Sequence, residues 1–274
     1  MIQSEARVAA NVSVAPGTFR LTLSGAGAEG YDPGQFCQVK AWPWADPLLR
    51  RPFSIMDCRV LESGEAGLDI LYQIVGRGTR LMSRLRPGDA VDVLGPLGVG
   101  FPLPVQTDSP DRSALIVAGG LGVAPFPLLV RRLVAAGVQT TAIVGARNKE
   151  LVLCTAEFTG LGATVVAVSE AADLPERGYA TDAMERRLGD ERPDVVYSCG
   201  PEPMLERVVA IARAHDLVCH VSLERRMPCG FGICYGCVVQ ARTPGHDAPH
   251  HVRSCLDGPV IDAGRLAGLD WCVV

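Results

Sequence analysis

The chain has few aromatic residues and no excess of positive charge. Phe, Trp and Tyr make up 5% of its 274 residues, and 26 Lys and Arg stand against 30 Asp and Glu, which leaves a formal net charge of −4 at pH 7. A protein that binds nucleic acid normally carries a clustered positive field, and the sequence shows none. We therefore expect no nucleic-acid partner.

Long hydrophobic runs are also missing. The longest uncharged stretch, residues 114–130, is interrupted by three Gly and two Pro, and it is shorter than the ~18–20 apolar residues that span a bilayer. The first residues alternate charged and apolar side chains and lack the apolar block of a signal peptide. We expect a cytoplasmic protein that does not contact a membrane.

The composition is that of a folded protein with more than one domain. Hydrophobic residues make up 48% of the chain and its mean hydropathy is +0.20, while single cores seldom grow beyond about 250–300 residues. The first 104 residues show short strands between turn residues, which predicts an antiparallel β-barrel or sandwich. Its strands are expected at residues 13–24, 35–41, 53–60, 68–75 and 89–94.

A polar stretch at residues 105–112 has the composition of a linker, and the pattern then changes. Apolar strands alternate with helices as far as residue 222, which predicts a parallel α/β sheet. Strands are expected at residues 114–118, 140–144, 164–168 and 195–198, and helices at residues 125–136 and 203–215. Residues 223–274 form a Gly- and Cys-rich segment.

Four of the ten cysteines form a group within this last segment. They are Cys229, Cys234, Cys237 and Cys255, in a C-x4-C-x2-C spacing with 17 residues between the third and the fourth. Four thiolates suit an iron–sulfur cluster or Zn²⁺, and cytosolic thiols stay reduced rather than forming disulfides. The order of spacings is that of plant-type [2Fe–2S] ferredoxins. We therefore favour this cluster over zinc and over thiols without a common role.

A glycine loop follows the first strand of the α/β region. Gly120, Gly122 and Pro125 form G-x-G-x-x-P between a strand and a helix, where free N–H groups and the helix dipole can hold a pyrophosphate. The sequence SCGP at residues 198–201 ends another strand, where open α/β sheets bind ligands. An ordinary tight turn would also explain the first pattern.

A further candidate site lies in the strand-rich region. Arg51 and Ser54 open one strand, and Gly78 and Thr79 follow the next, so a cation, a hydroxyl and a glycine turn are available for a diphosphate. Tyr72 lies between these segments, and its ring would suit packing on a flat ring system. The alternative is a solvated arginine and a core tyrosine.

Together these features resemble the ferredoxin–NADP reductase superfamily, whose R-x-x-S flavin motif, G-x-G-x-x-P loop and C-G-P strand end all have matches here. Within it, the chain is similar to the electron-transfer subunits of class 1B (NAD-linked) dihydroorotate dehydrogenases. Six motifs of that branch occur in order: RRPFSI, GRGTRLMS, DVLGPLGVGFP, SCGPEPM, ERRMPCGFGICYGC and CLDGPV. Only the additional Arg in ERRM departs noticeably from the pattern.

The resemblance implies a multidomain fold with an antiparallel flavin-binding β-barrel (residues 1–104), a parallel-sheet nicotinamide-binding α/β domain (112–222) and a small [2Fe–2S] module (223–274). FAD would be bound by Arg51, Pro52, Phe53, Ser54, Leu71, Tyr72, Gln73, Gly78 and Thr79. The nicotinamide site would be bordered by Gly120, Gly122, Cys199, Gly200 and Pro201. The cluster would be held by Cys229, Cys234, Cys237 and Cys255.

The resemblance also implies an oxidoreductase subunit. It would pass electrons from dihydroorotate, oxidised at FMN in a separate catalytic subunit, through the cluster and FAD to NAD⁺ in pyrimidine biosynthesis, with two copies of each subunit in a heterotetramer. Because the flavin supplies the chemistry, we expect no catalytic acid or base, and Glu224 and Cys199 are interpreted as structural. Phe231, Ile233 and Tyr235 beside the cysteines would form the docking surface.

Two alternatives stay open at this point. One is an FAD and [2Fe–2S] subunit of a bifurcating NADH–ferredoxin:NADP⁺ reductase or a sulfhydrogenase, and the other is a non-catalytic, zinc-stabilised flavoprotein-like module. The choice of NAD over NADP rests on the resemblance alone. No acidic residue clearly marks a ribose 2′-OH, and Arg147 would suit a 2′-phosphate.

Overall fold

A computed structural model describes residues 1–104, 112–171, 173–242 and 248–266 of the chain. These residues form a closed six-stranded barrel, a seven-stranded sheet and a two-stranded hairpin. The barrel and the largely parallel sheet confirm the predicted fold class. The predicted linker at residues 105–112 lies outside the described residues except for Arg112, and Cys272 also lies outside them.

The barrel is antiparallel throughout and has the strand order β1-β2-β5-β4-β3-β6. Its inward side chains, among them Leu21, Ile55 and Ile70, are completely buried and form its core. The elements are β1 (Ile2–Ala15), β2 (Thr18–Ser24), β3 (Phe36–Lys40), β4 (Arg51–Val60), β5 (Ala66–Gln73), a short helix α1 (Arg77–Met82) and β6 (Ala90–Leu97).

The first strand differs from the sequence-based expectation. Residues 13–24 were predicted as one strand, but Gly17 turns the chain at a φ of +67° and separates β1 from β2. Most of β1 was not predicted, because the inward side chains of its first half, Ala6 and Val8, are small and stand among the charged Glu5 and Arg7. Its pairing with β2 on one side and β6 on the other closes the barrel.

The seven-stranded sheet follows, with the order β10-β9-β8-β7-β11-β12-β15. Helices cover its faces, and none of the described helices is long and apolar enough to cross a membrane. The elements are β7 (Ser113–Gly119), α2 (Phe126–Ala135), β8 (Gln139–Ala146), α3 (Thr155–Gly160), β9 (Thr164–Ser169), β10 (Glu176–Arg177), α4 (Ala180–Leu188), β11 (Val195–Cys199), α5 (Glu202–Ala214) and β12 (Val218–Ser222). All of these strands run parallel.

The cysteine-bearing segment contacts both preceding units. It contains the antiparallel hairpin β13 (Val238–Ala241) and β14 (His250–Arg253), helix α6 (Ser254–Asp257) and β15 (Val260–Asp262). Strand β15 adds to the sheet by antiparallel pairing with β12, while Met227, Cys237 and Cys255 pack against Phe36, Leu94 and Leu97 of the barrel. The domain boundaries stay a prediction.

Two of the sequence motifs meet where this segment contacts the barrel. A side chain on Gly98, at a φ of +75°, would lie 2.6 Å from the carbonyl oxygen of Gly258. The Val99 N–H donates to that same oxygen, and Val99 forms a bridge with Pro259. Glycine is therefore required at position 98, both for its backbone conformation and for this close approach.

Candidate functional site

The cysteine loop between β12 and β13 is built on glycines in left-handed conformations. Gly230 and Gly232 have φ values of +82° and +88°. A Cβ on Gly230 would meet the Gln38 side chain at 2.6 Å, and one on Gly232 would meet Leu256 at 2.4 Å. These glycines allow the loop to fold tightly against the barrel and α6.

The four candidate ligand thiols lie in two adjacent pairs. The sulfur of Cys229 is in hydrogen-bond contact with Cys234, and that of Cys255 with Cys237. Cys229 also interacts electrostatically with Cys255, so the two pairs are neighbours. The first pair is at the surface, with Cys234 exposed, while Cys237 and Cys255 are buried.

Backbone N–H groups point at these sulfurs. Burial opposes ionisation of the Cys229 thiol, but hydrogen bonds from Cys234, Phe231 and Ile233 outweigh it and lower its pKa to about 6. Burial and the neighbouring Cys237 raise the pKa of Cys255 to about 12, although the Gly232 N–H donates to its sulfur. Such N–H groups stabilise the negative charge of cluster sulfurs.

This donor set fits a two-iron cluster. Two adjacent thiol pairs match a [2Fe–2S] cluster with four cysteine ligands, two for each iron. Together with the backbone N–H groups, the residues present fit the predicted cluster.

The cluster loop lies next to the predicted flavin motif. Phe36 of β3 packs with Cys237 and Cys255, and it is paired directly with Ser54 on the neighbouring strand β4. Below the loop, the buried Gln38 donates its side-chain N–H to the Met227 carbonyl oxygen at 2.6 Å. One strand therefore separates the cysteines from the R-x-x-S motif.

The motif itself occupies the first residues of β4. The Arg51 guanidinium donates to the carbonyl oxygens of Leu49 at 2.6 Å and Arg50 at 3.1 Å, and it lies 5.8 Å from the centre of the Trp42 ring. A Cβ on Gly78 would come within 3.2 Å of Arg51 Nε. The structure thus brings Arg51 and the predicted glycine turn together. The guanidinium and the glycine turn that meet here fit a diphosphate.

The other predicted flavin residues have different environments. Pro52, Phe53 and Ser54 are half-buried, Gln73 is exposed, and Leu71 is buried in a core shared with the α/β unit. Thr79 Oγ1 accepts from the N–H groups of Val75 at 3.0 Å and Gly76 at 3.2 Å, which fixes the start of α1.

Tyr72 lies inside the barrel. Its ring is stacked on Phe19 at 5.6 Å and meets Phe53 edge-on at 6.0 Å, and its hydroxyl donates to Asn11 at 3.0 Å. Burial raises the pKa of this hydroxyl to about 12, so it is neutral. That this ring packs on the flavin stays a prediction.

The two predicted nicotinamide segments meet at the carboxyl ends of β7 and β11. A Cβ on Gly122 would lie 2.4 Å from the Cys199 carbonyl oxygen and 2.6 Å from Gly200 Cα, and a Cβ on Gly119 would lie 2.9 Å from Pro201. At Gly120 the φ is +54° and a Cβ would meet nothing within 4 Å, which leaves open space above the turn.

At this meeting point the order in which the chain adds strands to the sheet reverses. The chain leaves β7 toward β8 on one side and later returns to β11 on the other. Open α/β sheets bind their ligands in the crevice that such a reversal creates, at the carboxyl ends of the strands. The glycine loop and helix α2 therefore fit a pyrophosphate-containing nicotinamide cofactor.

A cavity of about 190 Å³ opens beside this point. Its lining includes Gly200, Pro201, Glu202, Glu224 and Arg225, and Arg225 Nη2 donates to Glu202 at 3.2 Å. Burial raises the pKa of the adjacent Cys199 thiol to about 12, so it is protonated and a poor nucleophile at neutral pH.

The carboxyl ends of β8 and β9, on one side of β7, are followed by charges of both signs. Arg147 follows β8 and Glu170 follows β9, both exposed, and the Ala171 N–H donates to the Arg147 carbonyl oxygen at 3.0 Å. The sequence analysis did not single out Glu170, an acidic residue of the kind that binds a ribose 2′-OH. Its proximity to Arg147 could not be inferred without the pairing of β8 with β9.

Ion pairs between the barrel and the α/β unit were also missed. Arg131 of α2 donates to the buried Asp57 of β4, and Arg20 of β2 lies 3.5 Å from Glu157 of α3. Burial raises the pKa of Asp57, and Arg131 opposes that shift. No local signal reveals these partners, which are more than 70 residues apart in the first pair.

Asp69 extends this ionic network within the barrel. It accepts from Arg20, from Arg59 Nε at 2.8 Å and from Thr22 Oγ1 at 2.6 Å. Burial disfavours its charge, but these hydrogen bonds outweigh burial and hold the pKa of Asp69 below its usual range.

Comparison with known proteins agrees with this site. Residues 224–267 match the family model of the iron–sulfur cluster binding domain of dihydroorotate dehydrogenase B, and residues 116–210 match that of the oxidoreductase NAD-binding domain. Among solved structures, that of the NADH-dependent reduced ferredoxin–NADP oxidoreductase has a TM-score of 0.80 at 25% identity, covering 97% of this chain and 90% of that one. Ferredoxin–NADP⁺ reductase from Plasmodium falciparum, at 16% identity and a TM-score of 0.63, shares the fold over 80% of this chain and 95% of its own.

Two bacterial relatives match almost from end to end. The dihydroorotate dehydrogenase B (NAD⁺) electron transfer subunit of Geobacillus sp. (strain WCH70) is 39% identical over 97% of this chain and 99% of its own length. That of Geobacillus kaustophilus (strain HTA426) is 40% identical over 94% of this chain and 96% of its own length. The chain belongs to the family of dihydroorotate dehydrogenase B (NAD⁺) electron transfer subunits.

Proposed function

We propose that the chain carries electrons from an FMN-containing, dihydroorotate-oxidising catalytic subunit through [2Fe–2S] and FAD to NAD⁺, in the cytoplasm and in pyrimidine biosynthesis. The observation that carries this proposal is the contact between the three sites. The cysteines pack on Phe36, Phe36 pairs with Ser54, and helix α2 behind the glycine loop packs on β4. Electrons can therefore pass between neighbouring groups.

Each site has its own proposed residues. The bound FAD would exchange the electron pair of the nicotinamide for single electrons of the cluster, and the protein would hold and orient the groups. The cluster is assigned to Cys229, Cys234, Cys237 and Cys255. FAD is assigned to Arg51, Pro52, Phe53, Ser54, Leu71, Tyr72, Gln73, Gly78 and Thr79, and the nicotinamide to Gly120, Gly122, Cys199, Gly200 and Pro201. The corresponding units are residues 1–104, 112–222 and 223–274.

The proposed docking surface surrounds the exposed cysteine. Ile233 and Tyr235 flank Cys234 and are 72% and 61% exposed, and Leu256 of α6 is also exposed. Phe231, expected on this surface, is instead partly buried against the core formed by Phe36 and its neighbours. Exposed apolar side chains around a redox site suit the core of an interface with a catalytic subunit. A heterotetramer with two copies of each subunit is the proposed assembly.

Replacing one cluster ligand should prevent cluster assembly. We expect Cys→Ser at 229, 234, 237 or 255 to abolish or strongly reduce [2Fe–2S] content, because a hydroxyl is a poor substitute for a thiolate ligand. Iron and sulfide analysis with visible and electron paramagnetic resonance spectra measures this. Cys58→Ser and Cys154→Ser are the controls and should keep full iron content. Equal iron in both sets, or zinc in the parent protein, would contradict the assignment.

Adding one methyl group at Gly122 should weaken nicotinamide binding. Because the new Cβ would lie 2.4 Å from the Cys199 carbonyl oxygen, the two strand ends must separate. We expect Gly122→Ala to bind NADH about tenfold or more weakly while retaining FAD and iron. Calorimetric titration provides the measurement. Gly160→Ala, where a Cβ meets nothing within 4 Å, is the control. If both variants bind NADH with the affinity of the parent, Gly122 is not part of the nicotinamide site.

Removing the Arg51 side chain should weaken FAD binding. A charge-assisted hydrogen bond to a phosphate is worth about 1.5–3 kcal/mol, so Arg51→Ala should raise the FAD dissociation constant about tenfold or more. Fluorescence titration of the deflavinated protein measures it. Arg7→Ala removes an exposed arginine that pairs with Glu5 and should have no effect. If both variants retain FAD equally, Arg51 does not contact the cofactor.

Reconstitution with the catalytic subunit tests the proposed function. We expect the isolated chain to reduce artificial acceptors with NADH but not to oxidise dihydroorotate, and the added FMN subunit to confer NAD⁺-linked dihydroorotate oxidation. Ile233→Asp should weaken that complex about tenfold or more, since it places a charge at an apolar interface, without loss of iron. Size-exclusion chromatography and turnover report both effects.

The matched control for this experiment is Val60→Asp. Val60 is 73% exposed, closely similar to Ile233, but it lies at the other end of β4 from the flavin motif. Parent-like assembly of Ile233→Asp would exclude this surface. Inactivity of the pair, with turnover restored by a ferredoxin or hydrogenase partner, would replace the proposal with the bifurcating-reductase function.

A further inference from the structure

An ion pair with a buried carboxylate joins the barrel to the α/β unit. The Arg131 side chain is 37% exposed, whereas its partner Asp57 of β4 is 1% exposed. The Arg131 guanidinium of α2 reaches it from the other unit, with Nη2 donating to Asp57 Oδ2 and Nη1 donating to the Cys58 carbonyl oxygen at 2.9 Å. The second carboxylate oxygen of Asp57 accepts from the Cys58 N–H at 2.8 Å. Both oxygens are thus satisfied, and the guanidinium is held at two points.

The position of this pair in the two elements is informative. Asp57 follows Ser54 by three residues on the strand that begins with the flavin motif. Arg131 lies on the helix that begins directly after the glycine loop of the nicotinamide site. One side-chain contact therefore connects the element that carries one cofactor site to the element that carries the other.

A second ion pair supports the same orientation of the barrel relative to the α/β unit. Arg20 of β2 lies 3.5 Å from Glu157 of α3, and the fully buried Asp69 holds Arg20 from the barrel side. The two connections lie on different strands and different helices. A single connection would allow one unit to rotate about it. Two connections at different places resist that rotation.

An ion pair of this kind is a weak source of net stability, since apolar side chains of similar volume often stabilise as well or better. Its geometry is nevertheless directional, because a guanidinium fixed by a carboxylate and a carbonyl oxygen has one favourable orientation. Apolar packing alone tolerates sliding. The pair is therefore suited to setting an angle between the two units.

We infer that Asp57 and Arg131 are positioning residues that fix the nicotinamide-binding sheet against the flavin-binding barrel, so that the two ring systems meet in a reactive arrangement. This inference rests on the proposed function. A displacement of about 1 Å at a reacting centre can reduce a rate by about 100-fold, so a small change of angle has a large effect. Neither residue needs to touch a cofactor.

The test uses the full chain loaded with FAD and the cluster, in the variants Arg131→Met, Arg131→Lys and Asp57→Asn. We expect NADH to reduce the flavin of Arg131→Met at least about tenfold more slowly in stopped-flow experiments, with the NADH dissociation constant within about twofold of the parent. Arg131→Lys should recover only part of the rate, because lysine keeps the positive charge but not the two-point contact of the guanidinium. The exposed Arg207, which pairs with Glu185, provides the control variant Arg207→Met, and it should behave as the parent.

Two measurements independent of turnover accompany the rates. The long-wavelength charge-transfer absorbance of the nicotinamide–flavin complex should be lost in Arg131→Met and present in Arg131→Lys. Hydrogen exchange of amides in β4 and α2 should be faster in Asp57→Asn, even in the protein without cofactors. FAD content, iron content and melting temperature are recorded for every variant, so that a rate falling only in proportion to cofactor content counts against the inference.

The outcomes separate the inference from the proposed function. If Arg131→Met keeps the parent rate and charge-transfer absorbance, the pair does not position the units. Where that variant fails to fold, Asp57→Asn and Arg131→Lys decide by the same measurements. If NADH does not reduce the flavin of the parent, the proposed function is wrong, and unchanged hydrogen exchange in Asp57→Asn would then overturn the positioning role independently.

Discussion

The placement of the paired strands β3 and β4 between the cysteine segment and helix α2 is the constraint on which the arrangement depends. On one side β4 pairs with β3, whose Phe36 contacts the buried cysteines. On the other side it packs against α2, which follows the glycine loop. Electron transfer requires short distances between redox groups. Two paired strands, β3 toward the cysteines and β4 toward α2, meet that requirement without a dedicated linker segment.

Close backbone approach at glycine makes this arrangement possible. At Gly122 the turn after β7 touches the end of β11, and at Gly98 the end of the barrel touches Gly258 of the cysteine segment. A side chain at Gly122 would force two strand ends of one sheet apart, and a side chain at Gly98 would force the barrel away from the cysteine segment. The motifs DVLGPLGVGFP and CLDGPV, distant in sequence, thus act together at a single contact, while the glycine loop and SCGP act together at another.

The sequence was sufficient for the architecture but not for the contacts between units. Period-two and apolar patterns predicted the strands 35–41 and 114–118 close to their observed bounds. They failed at β1, whose small inward residues give a weak signal, and they could not show that β15 extends the α/β sheet. The ion pair between Asp57 and Arg131 could not be predicted from the sequence, because the two residues lie in different units and neither belongs to a motif.

The cysteine spacing likewise indicated the candidate ligands but not their arrangement in two pairs. In the structure the outer pair, Cys229 and Cys234, lies toward the surface with the exposed Ile233, and the inner pair, Cys237 and Cys255, is buried against Phe36. A cluster held by these four thiolates would have the outer pair toward solvent and the inner pair toward β3, the neighbour of the strand with the flavin motif. Under the proposed function, electrons would enter at the outer pair from a docked subunit and leave past the inner pair. The path of the electrons would then follow from which cysteines the barrel covers. A partner subunit cannot reach the buried inner pair, but it can reach the outer pair at the surface.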